Sequence, residues 1–105
     1  MLDSSIHPSV IIGDGAQIGG RCEIAPGAVV GSRCVLGNGV RVGINATLMP
    51  GVRVGNGARI ACGAVVVKDV PAREIWVGNP ARCLRDVPTD LVSRDGVTVA
   101  RLTSA

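Results

Sequence analysis

The side chains able to do chemistry are few and far apart. His7 is the one imidazole, set in Ile6-His7-Pro8-Ser9, and a His near neutrality is the usual proton acceptor for an attacking amine or hydroxyl. Cys22, Cys34, Cys62 and Cys83 show no CxxC spacing and no second His joins His7, so the ligand pattern of a zinc site is missing. Thiols spaced in this way suit a reducing compartment. Ser32 and Asn45 are further polar candidates. Eleven basic against eight acidic residues give a net charge of +3. The arginines are scattered and not interleaved with aromatics, which argues against a nucleic-acid surface. No apolar run approaches the roughly 20 residues of a membrane span, and Met1-Leu2-Asp3-Ser4-Ser5 lacks the regions of a signal peptide. The expectation is a cytoplasmic protein with neither nucleic acid nor membrane as partner.

Some framework must position those groups. The 105 residues are 47% apolar but only 1% aromatic, with 15 glycines. A single small domain of this kind has to close its core over Val, Ile, Leu and Ala. Six-residue steps from Ile6 give Ile12, Ile18, Ile24, Val30, Leu36, Val42, Leu48, Val54, Ile60 and Val66, branched aliphatics without exception. Four residues further on in each step stand Val10, Ala16, Cys22, Ala28, Cys34, Val40, Ala46, Val52, Ala58, Ala64 and Val70, all small and apolar. Most glycines fall one or three residues after the aliphatic position. This frame runs from Ile6 to Pro71.

A period of six matches neither the 3.6 of a helix nor the alternation of a long strand. It predicts a short strand and a bend, repeated, with three units closing a triangular coil of 18 residues. Gly37-Asn38-Gly39-Val40-Arg41-Val42 returns as Gly55-Asn56-Gly57-Ala58-Arg59-Ile60, which is that longer period. Stacked coils would align Glu23, Arg41 and Arg59 in one column, pairing Glu23 with Arg41, and Asn38 with Asn56 in another as an amide ladder. Outward Val29, Val35, Ile44, Val65 and Val67 would leave apolar flanks that favour association. After Pro71 the period stops. Trp76 is expected to cover the C-terminal end of the prism, residues from Cys83 to form a polar connector, and Leu91 to Leu102 a short hairpin around Arg94-Asp95-Gly96.

The hexapeptide pattern resembles the left-handed parallel β-helix family over residues 6 to about 85. That resemblance implies an all-β fold of nearly four triangular coils with a short C-terminal extension: a β-helix domain with its exit strand over residues 1–82, and an extension over 83–105. It also implies a homotrimer with parallel prism axes. Gly63-Ala64-Val65-Val66-Val67-Lys68-Asp69-Val70-Pro71, followed by Val77-Gly78-Asn79-Pro80-Ala81-Arg82, is similar to the last coil and exit of hexapeptide acyltransferases, those of the sialic-acid and bacillosamine type above all. The resemblance implies acetyl transfer from acetyl-CoA to an amino or hydroxyl group of a small, sugar-like acceptor, at sites between subunits. Carried over by position, Gly63 and Ala64 would be backbone contacts, Gly78, Asn79 and Pro80 would shape the exit, and Lys68 and Arg82 would meet phosphates. The catalytic His of that family aligns near Asp14, where this chain has Asp, so His7 and Asp14 are the candidates for catalysis. The alternative is a non-catalytic trimeric scaffold, or a degenerate relative that lacks the catalytic His. The three zinc-binding His residues of the β-helical carbonic anhydrases are not available, and there is no room for the nucleotide-binding domain of a nucleotidyltransferase.

Overall fold

The computed structural model describes residues 4–86. Within them the chain is strand and turn throughout, with no helix. The strands begin with β1 (Ser5–Ile6), β2 (Ile11–Ile12), β3 (Gln17–Ile18), β4 (Glu23–Ile24), β5 (Val29–Val30) and β6 (Val35–Leu36). They continue as β7 (Arg41–Val42), β8 (Thr47–Leu48), β9 (Arg53–Val54), β10 (Arg59–Ile60), β11 (Val65–Val66), β12 (Glu74–Val77) and β13 (Arg82–Asp86). Every third strand stacks in parallel on the one before. The first face of the prism is β1-β4-β7-β10-β12-β13, the second is β2-β5-β8-β11, and the third is β3-β6-β9. The register places Ile6 on Ile24 and Ile24 on Val42, an offset of 18 residues. This is the β-helix of the hexapeptide repeat, with about four coils.

The six-residue step works because its aliphatic residue points inward. Ile24, Val30, Leu36, Val42, Leu48, Val54, Ile60 and Val66 are all buried, and the small column from Cys22 to Ala64 fills the corners between them. Each fully buried aliphatic contributes about 1.5–3 kcal/mol relative to exposure. Cys22 and Cys34 serve as small corner residues, and their thiols reach carbonyl oxygens of the next coil, Gly37 O and Met49 O, each at 3.1 Å. Glycine follows the aliphatic residue where coils come closest. A Cβ on Gly43 would lie 2.5 Å from the backbone nitrogen of Cys62, so a side chain there would force two coils apart.

Both expected columns form. The Gly20 N–H donates to Asn38 Oδ1 and the Asn38 N–H to Asn56 Oδ1, each at 2.8 Å, so side-chain amides satisfy corner donors that strand pairing leaves out. Glu23 and Arg41 approach to 3.7 Å with both side chains more than half exposed, and such a pair contributes under about 1 kcal/mol.

The frame departs from expectation in one place. It does not run unbroken to Pro71, because the corner after Val66 is shorter by two residues. Val70, expected in the small column, stands instead on Val54. Asp69 makes the tighter corner possible by accepting the Arg53 N–H with its carboxylate at 3.0 Å. From Val70 the six-residue step resumes, and Trp76 lands on Ile60. Trp76 is thus buried at the C-terminal end of the prism, as expected, and its indole N–H donates to Glu74 Oε1 at 2.9 Å. The stretch from Cys83 is not a connector at its start: β13 returns antiparallel along β12 and pairs with it through Asp86. The hairpin expected over Leu91 to Leu102 lies outside the described residues.

Leu48 lies at mid-column and is fully buried, whereas Ile12 in the first coil is 39% exposed. Leu48→Ala is expected to lower unfolding stability by about 2–5 kcal/mol, and Ile12→Ala by well under half of that. Urea denaturation followed by circular dichroism measures both.

Candidate functional site

The exit residues gather where the chain leaves its last coil. The second face continues past β11 through Gly78 to Ala81: the Val65 N–H donates to Gly78 O at 2.9 Å and the Ala81 N–H to Val65 O at 2.8 Å. This docks Gly78-Asn79-Pro80 onto the corner that holds Gly63 and Ala64, and the Asn79–Pro80 peptide is cis. Gly63 and Gly78 both have positive φ, 71° and 94°, a conformation Gly adopts without the penalty of a Cβ. Gly63, Gly78, Asn79, Pro80 and Arg82 are exposed there, on one edge between the first and second faces.

Ala64 is placed differently from its neighbours. Its side chain is fully buried, its N–H donates to Ala61 O, and its carbonyl accepts from the Thr47 N–H at 2.8 Å. Ala64 therefore supports the corner from inside and offers no group outward. The Gly63 N–H is engaged by Ile44 O, while its carbonyl accepts no hydrogen bond among the described residues. The two cations stand on either side of β11. Lys68 lies on the shortened corner three residues beyond Val65, and Arg82 follows Ala81, opposite Val77 in β13. Both are exposed. Such an arrangement offers an exposed cation on each side of β11 to a negatively charged ligand.

His7 and Asp14 are not part of this cluster. Both belong to the first coil, three strand spacings or roughly 14 Å below the last full one. His7 occupies the same edge as Gly63, and Asp14 the same edge as Lys68. The Ser9 N–H donates to His7 Nδ1 at 3.1 Å, with Ser9 Oγ 2.8 Å from the same nitrogen. A backbone N–H can only donate, so Nδ1 is the acceptor and the neutral ring carries its proton on Nε2. The lone pair a general base would use is thus held inside the first corner. Ser9 Oγ in turn accepts the Gly27 N–H at 2.9 Å, which ties that corner to the coil above. Asp14 is exposed and uses its backbone carbonyl to accept the Arg33 N–H. Ser32 likewise accepts through its carbonyl, from the Gly51 N–H, and Asn45 turns a corner at φ 58°. No group of three or more His, Cys, Asp or Glu side chains that could hold a metal occurs among the described residues, and these contain no helix long and apolar enough to cross a membrane.

Sequence reasoning missed part of the apolar surface. Ile44 and Val67 are exposed as expected, but Ile11 (63%) and Met49 (42%) are exposed with them, and Val29, Val35 and Val65 are half-buried. Ile11, Val29, Thr47 and Val65 form the outward column of the second face. The signal was the doublet Ile11-Ile12, in which only one residue can point inward.

Comparison with known proteins agrees with this architecture. The sequence profile "Bacterial transferase hexapeptide (six repeats)" matches residues 33–68, and "Hexapeptide repeat of succinyl-transferase" matches residues 9–43. No curated protein sequence matches. Among solved structures, the serine acetyltransferase of Brucella abortus strain S19 in complex with coenzyme A is 26% identical, with a TM-score of 0.61 over 79% of this chain and 42% of that one. The serine acetyltransferase of Neisseria gonorrhoeae in complex with serine is 30% identical, with a TM-score of 0.61 over 74% of this chain and 40% of that one. The chain thus spans about two fifths of the length of these relatives. The stacked six-residue coils and the two profiles that tile them show that the chain belongs to the bacterial transferase hexapeptide-repeat family of left-handed β-helices.

Proposed function

We propose that the chain is an acyltransferase that moves an acetyl group from acetyl-CoA to an amino or hydroxyl group of a small, sugar-like acceptor. The observation that carries this reading is the exit cluster: Gly78-Asn79-Pro80 docked on the Gly63 corner, with Lys68 and Arg82 flanking it. A similar structure bound to coenzyme A supports the donor. Another bound to serine, which carries both an amino and a hydroxyl group, supports a small acceptor with one of these groups. In the reaction the acceptor nitrogen or oxygen attacks the thioester carbonyl, the C–S bond breaks, and the proton from the acceptor ends on the CoA thiol. Free Gly63 carbonyl oxygen would receive an amide N–H of the pantetheine arm, and Lys68 and Arg82 would pair with phosphates.

The sites lie between subunits of a homotrimer in this reading. Its support is the second face, where Ile11, Met49 and Val67 are exposed beside half-buried Val29 and Val65. Three copies turning that face to a common axis would remove it from water. Buried Cys22 and Cys34, whose thiols donate to carbonyls only while reduced, support a cytoplasmic location. We further propose residues 1–82 as the β-helix domain and 83–105 as its extension.

A second reading, a non-catalytic trimeric scaffold or degenerate relative, is favoured by one observation. His7 lies at the far end of the column with its lone pair engaged by the Ser9 N–H.

Acetyl-CoA and CoA should each raise the melting temperature by mass action. Lys68→Ala and Arg82→Ala should each weaken binding about tenfold, or ~1.4 kcal/mol. No shift at millimolar ligand would reject the donor assignment. Thiol release with a panel of amino sugars and serine then separates the two readings, since binding without release supports the scaffold. His7→Ala is expected to leave CoA binding unchanged; loss of release in that variant would make His7 catalytic.

Val67→Glu on the second face should convert trimers into smaller species while the circular dichroism spectrum is retained. Sedimentation equilibrium checks the mass, and an unchanged mass would rule out this face as the trimer interface.

A further inference from the structure

The unit Gly-Asn-Gly-x-Arg-aliphatic, which occurs at residues 37–42 and again at 55–60, has no part in the exit cluster. The fold stacks its two copies at the corner between the third and first faces. Arg59 lies on Arg41, and the Gly57 N–H donates to Asn38 O at 2.8 Å. The next coil adds Arg73, whose N–H donates to Asn56 O at 2.9 Å and whose Cγ lies 3.4 Å from where a Cβ on Gly57 would stand. Arg41, Arg59, Arg73, Asn38 and Asn56 are all exposed.

Two features of this corner work against the fold taken alone. The register holds Arg59 directly beside Arg41, one strand spacing or about 4.8 Å away along the prism, and like charges facing across paired strands repel. The outward columns of the other faces, Ile11-Val29-Thr47-Val65 and Gln17-Val35-Arg53, contain no such pair. Arg73 stands at φ 62°, in the left-handed region, and the equivalent positions one and two coils below are Gly57 and Gly39, at 70° and 69°. Glycine would take this position without strain, so the guanidinium is what Arg73 contributes there, and a backbone outlier of this kind points to a role for its side chain.

We propose that this corner binds a diphosphate group over a floor of Gly39 and Gly57. A Cβ on Gly39 would have only the Gly57 Cα nearby, at 4.0 Å, so a ligand can come close to the backbone. The guanidinium groups of Arg59 and Arg73 have no partner among the described residues, and Arg41 meets Glu23 only at 3.7 Å. Asn38 Oδ1 and Asn56 Oδ1 accept the Gly20 and Asn38 N–H groups, which leaves the two Nδ2 groups as neutral donors. A guanidinium pairs with two phosphate oxygens at once. Three of them over two strand spacings, roughly 10 Å, offer more charge than one orthophosphate takes up. Two linked phosphoryl groups can bridge Arg41 and Arg59 and reach Arg73, which turns the repulsion within the column into attraction for the ligand.

Carboxylates of the described residues flank this corner only at its ends. Glu23 lies one coil below Arg41. Glu74 follows Arg73, is paired with Asp86 of β13, and accepts the Trp76 indole N–H at 2.9 Å. The site is separate from the exit cluster, which occupies the edge between the first and second faces, and from Lys68, which lies on the edge between the second and third. It therefore stands whether or not the chain transfers an acetyl group.

Isothermal titration calorimetry of the full 105-residue chain with pyrophosphate at low ionic strength tests the proposal. Binding is expected, with orthophosphate about tenfold weaker or more. Arg59→Gln and Arg73→Asn should each weaken pyrophosphate binding about tenfold, and both should keep the circular dichroism spectrum, since Asn tolerates the left-handed backbone. Lys68→Ala combined with Arg82→Ala should leave pyrophosphate binding unchanged. So should Arg33→Asn, which removes an Arg at φ 60° from a different corner. No binding at millimolar pyrophosphate overturns the proposal, as does an equal loss in Arg33→Asn or in the double variant. Equal affinity for orthophosphate also overturns it and marks an adventitious ion only. ADP distinguishes the sources: affinity no higher than that of pyrophosphate assigns the diphosphate alone, and a higher affinity that Arg59→Gln abolishes assigns a nucleotide. The double variant is expected to lose acetyl-CoA and keep pyrophosphate, so the donor assignment and this site fail separately.

Discussion

Parallel pairing of two-residue strands at an 18-residue offset is the constraint on which the rest of the molecule depends. A single such strand offers too little contact to persist, and each becomes stable through the coils above and below it. The offset has to be kept at every step, because a slip of one residue would turn the aliphatic side chains to water. This is why the inward strand positions of the regular coils hold branched aliphatics and the buried corner column holds small apolar residues. The Asn38–Asn56 ladder and the carboxylate of Asp69 serve the same register at places the strands do not reach.

Much of this could be read from the sequence, because one physical requirement repeats along it. Every residue from Ile24 to Val66 on the six-residue step is buried as its type demands. The shortened corner was hidden because Val70 suits either column: it is small enough for a corner and apolar enough for an inward position. Only the partner across the coil, Val54, distinguishes the two. The pairing of β13 was hidden for a related reason. Arg82-Cys83-Leu84-Arg85-Asp86 has no apolar periodicity, and it becomes a strand by completing the edge that β12 leaves open.

The site was legible to a smaller degree. The exit motif led to Gly63, Gly78, Asn79, Pro80 and Arg82, and the fold brings them to one edge. Ala64 had already been placed in the small apolar column by the repeat, and its burial follows from that column more than from its position in the motif. The contact of His7 with Ser9 is made by a corner geometry that the residue types alone do not specify. Where the sequence is repetitive, burial can be inferred residue by residue; where each group occurs once, its partner has to be seen.

The four-residue step from Val66 to Val70 also acts as a terminator. A corner shortened by two residues brings Trp76 over Ile60 at a level where another hexapeptide would otherwise begin. An extra 18-residue block inserted at mid-column would lengthen the tower and leave this roof intact. The same block placed after Val70 would meet a chain already turned for closure. The height of the tower is therefore set by where that abbreviated turn falls, independently of how many hexapeptides precede it.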